Sequence, residues 1–252
     1  MGFLSVIKKH TPWPVRLLSR RVRRRIAYLT QPQRSPREVF SRIYAENLWG
    51  TGKPVGNDLY AFYSGPGSEE SAARPYADCV RRFIEEQGIR SVVDLGCGDF
   101  RVGRLIANPG IDYIGVDIVE PVITENTARF SSERIQFRCL DVIADAIPDG
   151  ELILLREVLQ HLSNEQVVAI LAKLRKFRWV IVTEVHPGPP GSFKPNRNKP
   201  HGADSRAMWN SGIVLNAPPF NVCNVELLLS LPAVQSEGDP AGACLNSFLV
   251  RN

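Results

Sequence analysis

The stretch Val92-Val93-Asp94-Leu95-Gly96-Cys97-Gly98-Asp99-Phe100 constrains this chain more than any other. A β-branched run breaks into two glycines spaced by one and then resumes as an amphipathic segment. This pattern opens a strand-turn-helix unit in which backbone passes close to a ligand and a Cβ would obstruct it. A dinucleotide loop continues to a third glycine and offers free amides to a pyrophosphate. Here Arg101 holds that third position, and Asp94 puts a carboxylate at the strand end. An acid there suits a ligand that carries positive charge.

Two more acids end apolar runs. Residues 111–117 read as a second strand, and Asp117 lies nineteen residues after Gly98, near the spacing at which a carboxylate meets ribose hydroxyls. Residues 134–140 read as a third strand ending at Asp141, placed to accept from an adenine amino group. Asp94, Asp117 and Asp141 thus fall in the order of the amino acid, ribose and base of one adenosyl ligand. Gly96, Cys97, Gly98, Ile118 and Val142 complete the expected cradle. The ammonium and sulfonium of S-adenosylmethionine match such an acidic site. From about residue 90 the chain resembles the class I S-adenosylmethionine-dependent methyltransferases.

Helices expected over 37–47, 71–87, 101–108, 121–130 and 164–177 alternate with strands, the fourth over 151–155 and the fifth over 179–184. Such alternation demands a parallel sheet with helices on both faces. Apolar runs at 225–231 and 246–250 fit an antiparallel C-terminal hairpin. The expected fold is an α/β, Rossmann-like seven-stranded methyltransferase sheet, mostly parallel, preceded by a basic N-terminal arm.

With 252 residues, 44% of them hydrophobic, the chain can bury one full α/β core. Its five cysteines form no C-x-x-C pair and read as reduced, mostly buried residues, so neither zinc nor a disulfide framework is implied. There is no apolar run of the length that spans a bilayer.

Charge is uneven. Residues 1–37 carry ten basic side chains and no acidic one, and the remainder carries 21 basic against 26 acidic. The formal +5 therefore belongs to the arm, and the mildly acidic domain at 38–252 argues against bound nucleic acid. Val15, Leu18, Val22, Ile26 and Leu29 recur at helical spacing among arginines. Such a helix can lie on an anionic membrane, pack on its own domain or remain a solvated tail. An Arg-rich, acid-free start also fits a mitochondrial transit peptide. The expected location is cytoplasmic, membrane-peripheral if the arm binds lipid and mitochondrial if it is a transit peptide.

The resemblance narrows through ordered elements: 43–50 (Ile-Tyr-Ala-Glu-Asn-Leu-Trp-Gly), 64–68 (Ser-Gly-Pro-Gly-Ser), Gly98-Asp99-Phe100, 113–119, His161-Leu162-Ser163 and Ala217-Pro218-Pro219-Phe220. They are similar, in the same order, to a broad bacterial group of small class I methyltransferases. This implies fold and cofactor strongly and substrate hardly at all. In that group an acid directly precedes a Trp shortly before Ala-Pro-Pro-Phe. Here Met208 precedes Trp209, and Asp204 is the nearest acid.

Ligands of open α/β sheets bind beyond the carboxyl ends of strands. Past the fourth strand stand Arg156, counted among the cofactor-binding residues and read as holding an anionic substrate group or organising the strand end, and His161. With its ordinary pKa near 6.5, His161 is a candidate general base, or a histidine that bonds the turn. Past the fifth strand Glu184 and His186 form a second candidate acid-base pair. Ser163 and Gln166 form a capping box. Residues 186–216, rich in Pro and Gly, are too long for an ordinary connection and read as a lid or acceptor pocket, or else a disordered insertion. His201 within them reads as incidental. The expected activity is methyl transfer to an O or N atom of a small molecule, with sugars, glycan intermediates or lipid-linked acceptors foremost. The rivals are a non-catalytic adenosyl-binding assembly subunit and, less favoured, a nucleotide-sugar dehydrogenase.

Overall fold

The computed structural model describes residues 34–52, 60–234 and 240–252. The arm's candidate stripe, Val15 to Leu29, lies outside them. The chain divides between Ser35 and Pro36, and every element below belongs to the unit Pro36–Asn252. Arg37, counted with the arm by charge, stands in the first helix of this unit.

In chain order the elements are α1 (Pro36–Ala45), α2 (Glu70–Gln87), β1 (Ser91–Leu95), α3 (Arg101–Ile106), β2 (Asp112–Asp117), α4 (Glu120–Phe130), β3 (Ile135–Cys139), β4 (Leu152–Arg156), α5 (Asn164–Leu174), β5 (Trp179–His186), β6 (Lys194–Pro195), β7 (Ser211–Gly212), β8 (Val225–Pro232) and β9 (Cys244–Arg251). Seven strands form one sheet in the order β3-β2-β1-β4-β5-β9-β8. The first five run parallel. β9 is antiparallel to β5 and to β8, with a register shift between Leu227 and Leu229. This is the Rossmann-like methyltransferase sheet with its C-terminal hairpin, as expected.

The sequence builds this locally. Ala73, Tyr76, Ala77, Val80, Phe83 and Ile84 recur at three to four residues and are the buried face of α2. Gly88 closes that helix in the left-handed region at φ 63°. On this side of the sheet Tyr76, Val80 and Phe83 pack with Val92, Leu152, Leu154 and Ile181. On the other, Val167, Ile170 and Leu174 of α5 pack with Val93, Leu95, Ile153, Leu155 and Val182. Helices on both faces bury β1, β4 and β5, which explains their unbroken apolar runs.

α5 starts at the expected box: Gln166 N–H donates to Ser163 Oγ, and Ser163 N–H donates to Gln166 Oε1 at 2.9 Å. It stops at Leu174, three residues before the expected end, and α3 stops at Ile106, two residues before Asn108. Pro109 disfavours helical backbone at Asn108.

Candidate active site

The glycine loop is fixed from several sides. Gly96 and Gly98 have φ of 81° and 54°, where only glycine rests without strain. The N–H groups of Gly96 and Cys97 donate to Val116 O at 2.7 and 3.0 Å, which ties the loop to the end of β2. A Cβ on Gly96 would overlap Val158, and one on Gly98 would overlap Ser64 Oγ. Asn126 of α4 donates through Nδ2 to Gly98 O at 2.7 Å.

Asp117 accepts from Gly98 N–H at 3.1 Å through one oxygen and from Val119 N–H at 3.0 Å through the other. Burial pushes this carboxyl above the ordinary range, against the amide bonds that hold it down. Backbone amides thus orient both oxygens. The acid stands at the end of β2, where the spacing puts it.

Asp94 stands at the strand end but is turned under the loop, where Tyr113 OH donates to its Oδ2. Burial pushes its pKa up to about 6. Ile118 O accepts from Arg37 Nη1 at 2.8 Å, and the same nitrogen lies 3.1 Å from Cys139 Sγ. α1 thereby crosses the ends of β2 and β3. Asp141 closes a turn: its Oδ1 accepts from Ile143 N–H, and its own N–H donates to Asp145 Oδ2. Val142 O accepts from Lys173 Nζ at 3.1 Å. Local turn closure therefore engages one oxygen of the acid expected at adenine.

Arg156 organises the strand end. Its Nη2 donates to Gly67 O at 2.8 Å and its Nη1 pairs with Glu157 Oε1 at 2.9 Å. The guanidinium thus ties the 64–68 loop to β4 and is committed to protein, a correction to its expected place among cofactor ligands. Glu157 itself takes a left-handed φ of 58°, a strained conformation of the kind found at functional sites.

A cover forms over the loop. Tyr44 OH and Ser64 Oγ are 2.8 Å apart, and Asp99 N–H donates to Ser64 Oγ. Asp99 Oδ2 takes Arg101 Nε at 3.0 Å, and that guanidinium lies 4.1 Å from the Tyr60 ring centre. Tyr44 meets Trp49 edge-on at 5.3 Å, and Trp49 meets the His161 ring at 5.2 Å.

Beyond β4 the candidate bases part company. His161 Nδ1 faces Gly202 O at 3.1 Å, so Nδ1 is the donor, and Nε2 accepts from Gln160 Nε2 at 3.5 Å. Burial, reinforced by Lys199, lowers its pKa to about 3. This favours the turn-bonding alternative, because a base so weak takes a proton poorly near neutral pH.

Glu184 is fully buried and accepts from Leu159 and Gln160 N–H at 2.8 and 3.0 Å. His186 Nε2 faces Ile213 O at 2.8 Å, and its Nδ1 faces Asn246 Nδ2 at 3.1 Å. Each is committed to a different neighbour. They are turn and loop anchors, and the expected acid-base pair is not assembled.

Residues 187–216 are folded, which removes the disordered alternative. Asn196 Nδ2 donates to Val214 O at 2.8 Å and Val214 N–H returns to Asn196 Oδ1. Arg206 is fully buried and donates to the carbonyls of Arg197 and Leu162. β6 and β7 pair in parallel within the segment. Trp49 Nε1 donates to Ala203 O at 3.2 Å, and His201 Nδ1 faces Gln166 Nε2 at 3.1 Å. His201 is thus a packing residue of the segment.

Tyr44, Trp49, Ser64, Asn126 and Lys199 were not picked out as site residues from sequence. For Tyr44, Trp49 and Ser64 the signal was present as ordered motifs, without any indication that they cover the loop. For Asn126 and Lys199 there was none. Among the described residues no group of three or more His, Cys, Asp or Glu could hold a metal ion.

Residues 92–177 match a family model described as a methyltransferase domain. No curated protein sequence matches the chain. Among solved structures, magnesium protoporphyrin IX methyltransferase (ChlM) from Synechocystis PCC 6803 with bound SAM is 15% identical at TM-score 0.52, covering 88% of this chain and 100% of that one. The N-terminal domain of EvdMO1 with SAH bound is 15% identical at 0.52, covering 87% and 99%. The N-methyltransferase NodS from Bradyrhizobium japonicum WM9, in complex with S-adenosyl-l-homocysteine, is 13% identical at 0.52, covering 71% and 87%. At these identities the likeness is one of fold. The methyltransferase-domain match falls on the glycine loop, Asp117 and the β4 end, and disfavours the dehydrogenase alternative. With that match and this fold, the chain carries a methyltransferase domain within a Rossmann-like sheet.

Proposed function

We propose that this methyltransferase acts on an O or N atom of a small-molecule acceptor, held where the ends of β4 and β5 meet the folded 187–216 segment. One observation carries the reading. The carbonyls of Gly202 and Ala203 meet His161 and Trp49, so the segment closes over the turn that follows β4, where ligands of such sheets bind. A segment held over this turn favours a small acceptor over a macromolecule lying across the surface.

S-adenosylmethionine supplies an electrophilic methyl group. The residues that would hold it are the glycine loop, Asp117 and Asp94, with Ile118, Asp141 and Val142 toward the base. The protein's work is to align the acceptor and exclude water, which is worth up to about 7 to 11 kcal/mol. Tyr44, Trp49 and Ser64 supply the cover.

If the basic arm binds an anionic membrane, sugars, glycan intermediates or lipid-linked acceptors are favoured as substrates, on a cytoplasmic or membrane-peripheral enzyme. The test is transfer of labelled methyl from S-adenosylmethionine into fractions of a cell extract. Label in low-mass, O- or N-linked products supports the reading. Label only in protein or nucleic acid overturns it.

A further inference from the structure

The turn that follows β3 is held by a residue of another element. Lys173 stands in the last turn of α5. Its Nζ donates to Val142 O at 3.1 Å, to Ile143 O at 2.7 Å and to Asp145 O at 2.7 Å. An ammonium has three N–H groups, so each meets a carbonyl of its own. The partners lie 28 to 31 residues back along the chain, and no bond inside the turn substitutes for them.

The effect reaches Asp141 through one peptide group. A trans peptide is planar, with C=O and N–H on opposite sides. Fixing Val142 O therefore fixes Ile143 N–H, and that N–H donates to Asp141 Oδ1 at 2.9 Å. The rest of the turn closes on itself. Asp141 O accepts from Ala144 N–H at 3.0 Å and from Asp145 N–H at 2.7 Å, and Asp141 N–H donates to Asp145 Oδ2 at 2.8 Å. Among the described residues this leaves Asp141 Oδ2 as an acceptor and Val142 N–H as a donor, side by side and without a partner. The adenine edge presents the complement, an amino donor beside a ring-nitrogen acceptor.

We propose that Lys173 positions this pair, so that the preference of the site for adenine is set from α5. The inference rests on the placement of the base at Asp141 and Val142 given above. Lys173 touches no part of the cofactor and acts through the peptide between Val142 and Ile143. Without its ammonium, three carbonyls of the turn lose their donor, and the Asp141 carboxylate loses the fixed N–H that aims it.

The test measures, by calorimetry on full-length protein, the affinities of S-adenosylhomocysteine and S-inosylhomocysteine. In the inosyl ligand a carbonyl replaces the amino group and the neighbouring ring nitrogen carries a proton, so both hydrogen-bonding roles are reversed. Asp141 Oδ2 then faces an acceptor and Val142 N–H faces a donor, and groups left unpaired in this way are costly. Wild type should prefer S-adenosylhomocysteine by at least about tenfold.

Lys173→Met keeps the aliphatic stem and removes the donors. Its affinity for S-adenosylhomocysteine should fall by at least about tenfold while that for S-inosylhomocysteine changes little, so the preference collapses. A preference retained in this variant, even with a lower melting temperature, marks Lys173 as a packing residue and overturns the proposal. Where Lys173→Met does not fold, Lys173→Gln, with a single amide donor group at shorter reach, should show the same collapse, and a retained preference there overturns the proposal too. Equal binding of the two ligands by wild type defeats the base placement, and the proposal with it. Discrimination that survives the loss of Lys173 leaves the base placement standing and defeats the proposal alone.

Discussion

Ser64 and Asp99 bond each other twice. Ser64 N–H donates to Asp99 Oδ2 at 3.1 Å, and Asp99 N–H donates to Ser64 Oγ at 2.8 Å. Thirty-five residues apart, they clamp the Ser-Gly-Pro-Gly-Ser loop onto the glycine loop. Arg101 holds the same carboxylate from the start of α3. The cover over the site is thus fastened to the backbone that it covers.

Ser64→Ala should loosen that clamp without emptying the core. It leaves Asp99 N–H and Tyr44 OH without their shared partner, a loss of about 1 to 3 kcal/mol where such groups are buried. The expected result is a lower melting temperature and weaker S-adenosylhomocysteine binding, measured by thermal denaturation and calorimetry. Unchanged values for both would show that the clamp is incidental.

Asp117→Asn tests the cradle. The amide keeps the shape of the carboxylate, but its nitrogen cannot accept, so Gly98 N–H or Val119 N–H loses its acceptor. Charge-assisted bonds to a ribose weaken too, at about 1.5 to 3 kcal/mol each. Affinity for S-adenosylhomocysteine should fall by at least about tenfold, with NAD binding absent in wild type and variant alike.

Glu184 should leave a pH signature. Its folded pKa is pushed up to about 8 by burial, above the ordinary value near 4.3. The native state therefore holds a proton that the unfolded chain releases, and stability from this group is complete below about 4.3 and lost as pH rises through 8. Denaturation midpoints of wild type and Glu184→Gln, measured from pH 4 to 9, should show a slope in the former that flattens in the latter. Parallel curves would exclude the carboxyl as its source.

Deletion of residues 1–35 should abolish salt-sensitive binding to anionic vesicles if the arm is a membrane tether, because attraction of this kind weakens with screening. Cofactor affinity of the truncated chain should be unchanged. Vesicle co-sedimentation at two ionic strengths checks it. Equal binding by the truncated protein would mean that the basic excess has another use.

Sequence by itself determined the sheet and the cofactor end of the site. Unbroken apolar runs at β1, β4 and β5 require strands covered on both faces. Glycines at 96 and 98 require a loop that side chains cannot enter, and Asp117 at its spacing requires an acid at the end of β2. These signals are local, carried by residue type and period. What lies beyond β4 and β5 was decided by tertiary structure. His161, Glu184 and His186 looked like bases because their chemistry allows it. Burial and partners far along the chain, Gly202 O, Leu159 N and Ile213 O, committed them to structure instead. Arg37 looked like part of a basic arm until folding brought it to Ile118 O, 81 residues away. Lys199 carried no signal in the sequence. Only the packing of its segment removes water and partners from the amine, and no local pattern encodes that removal.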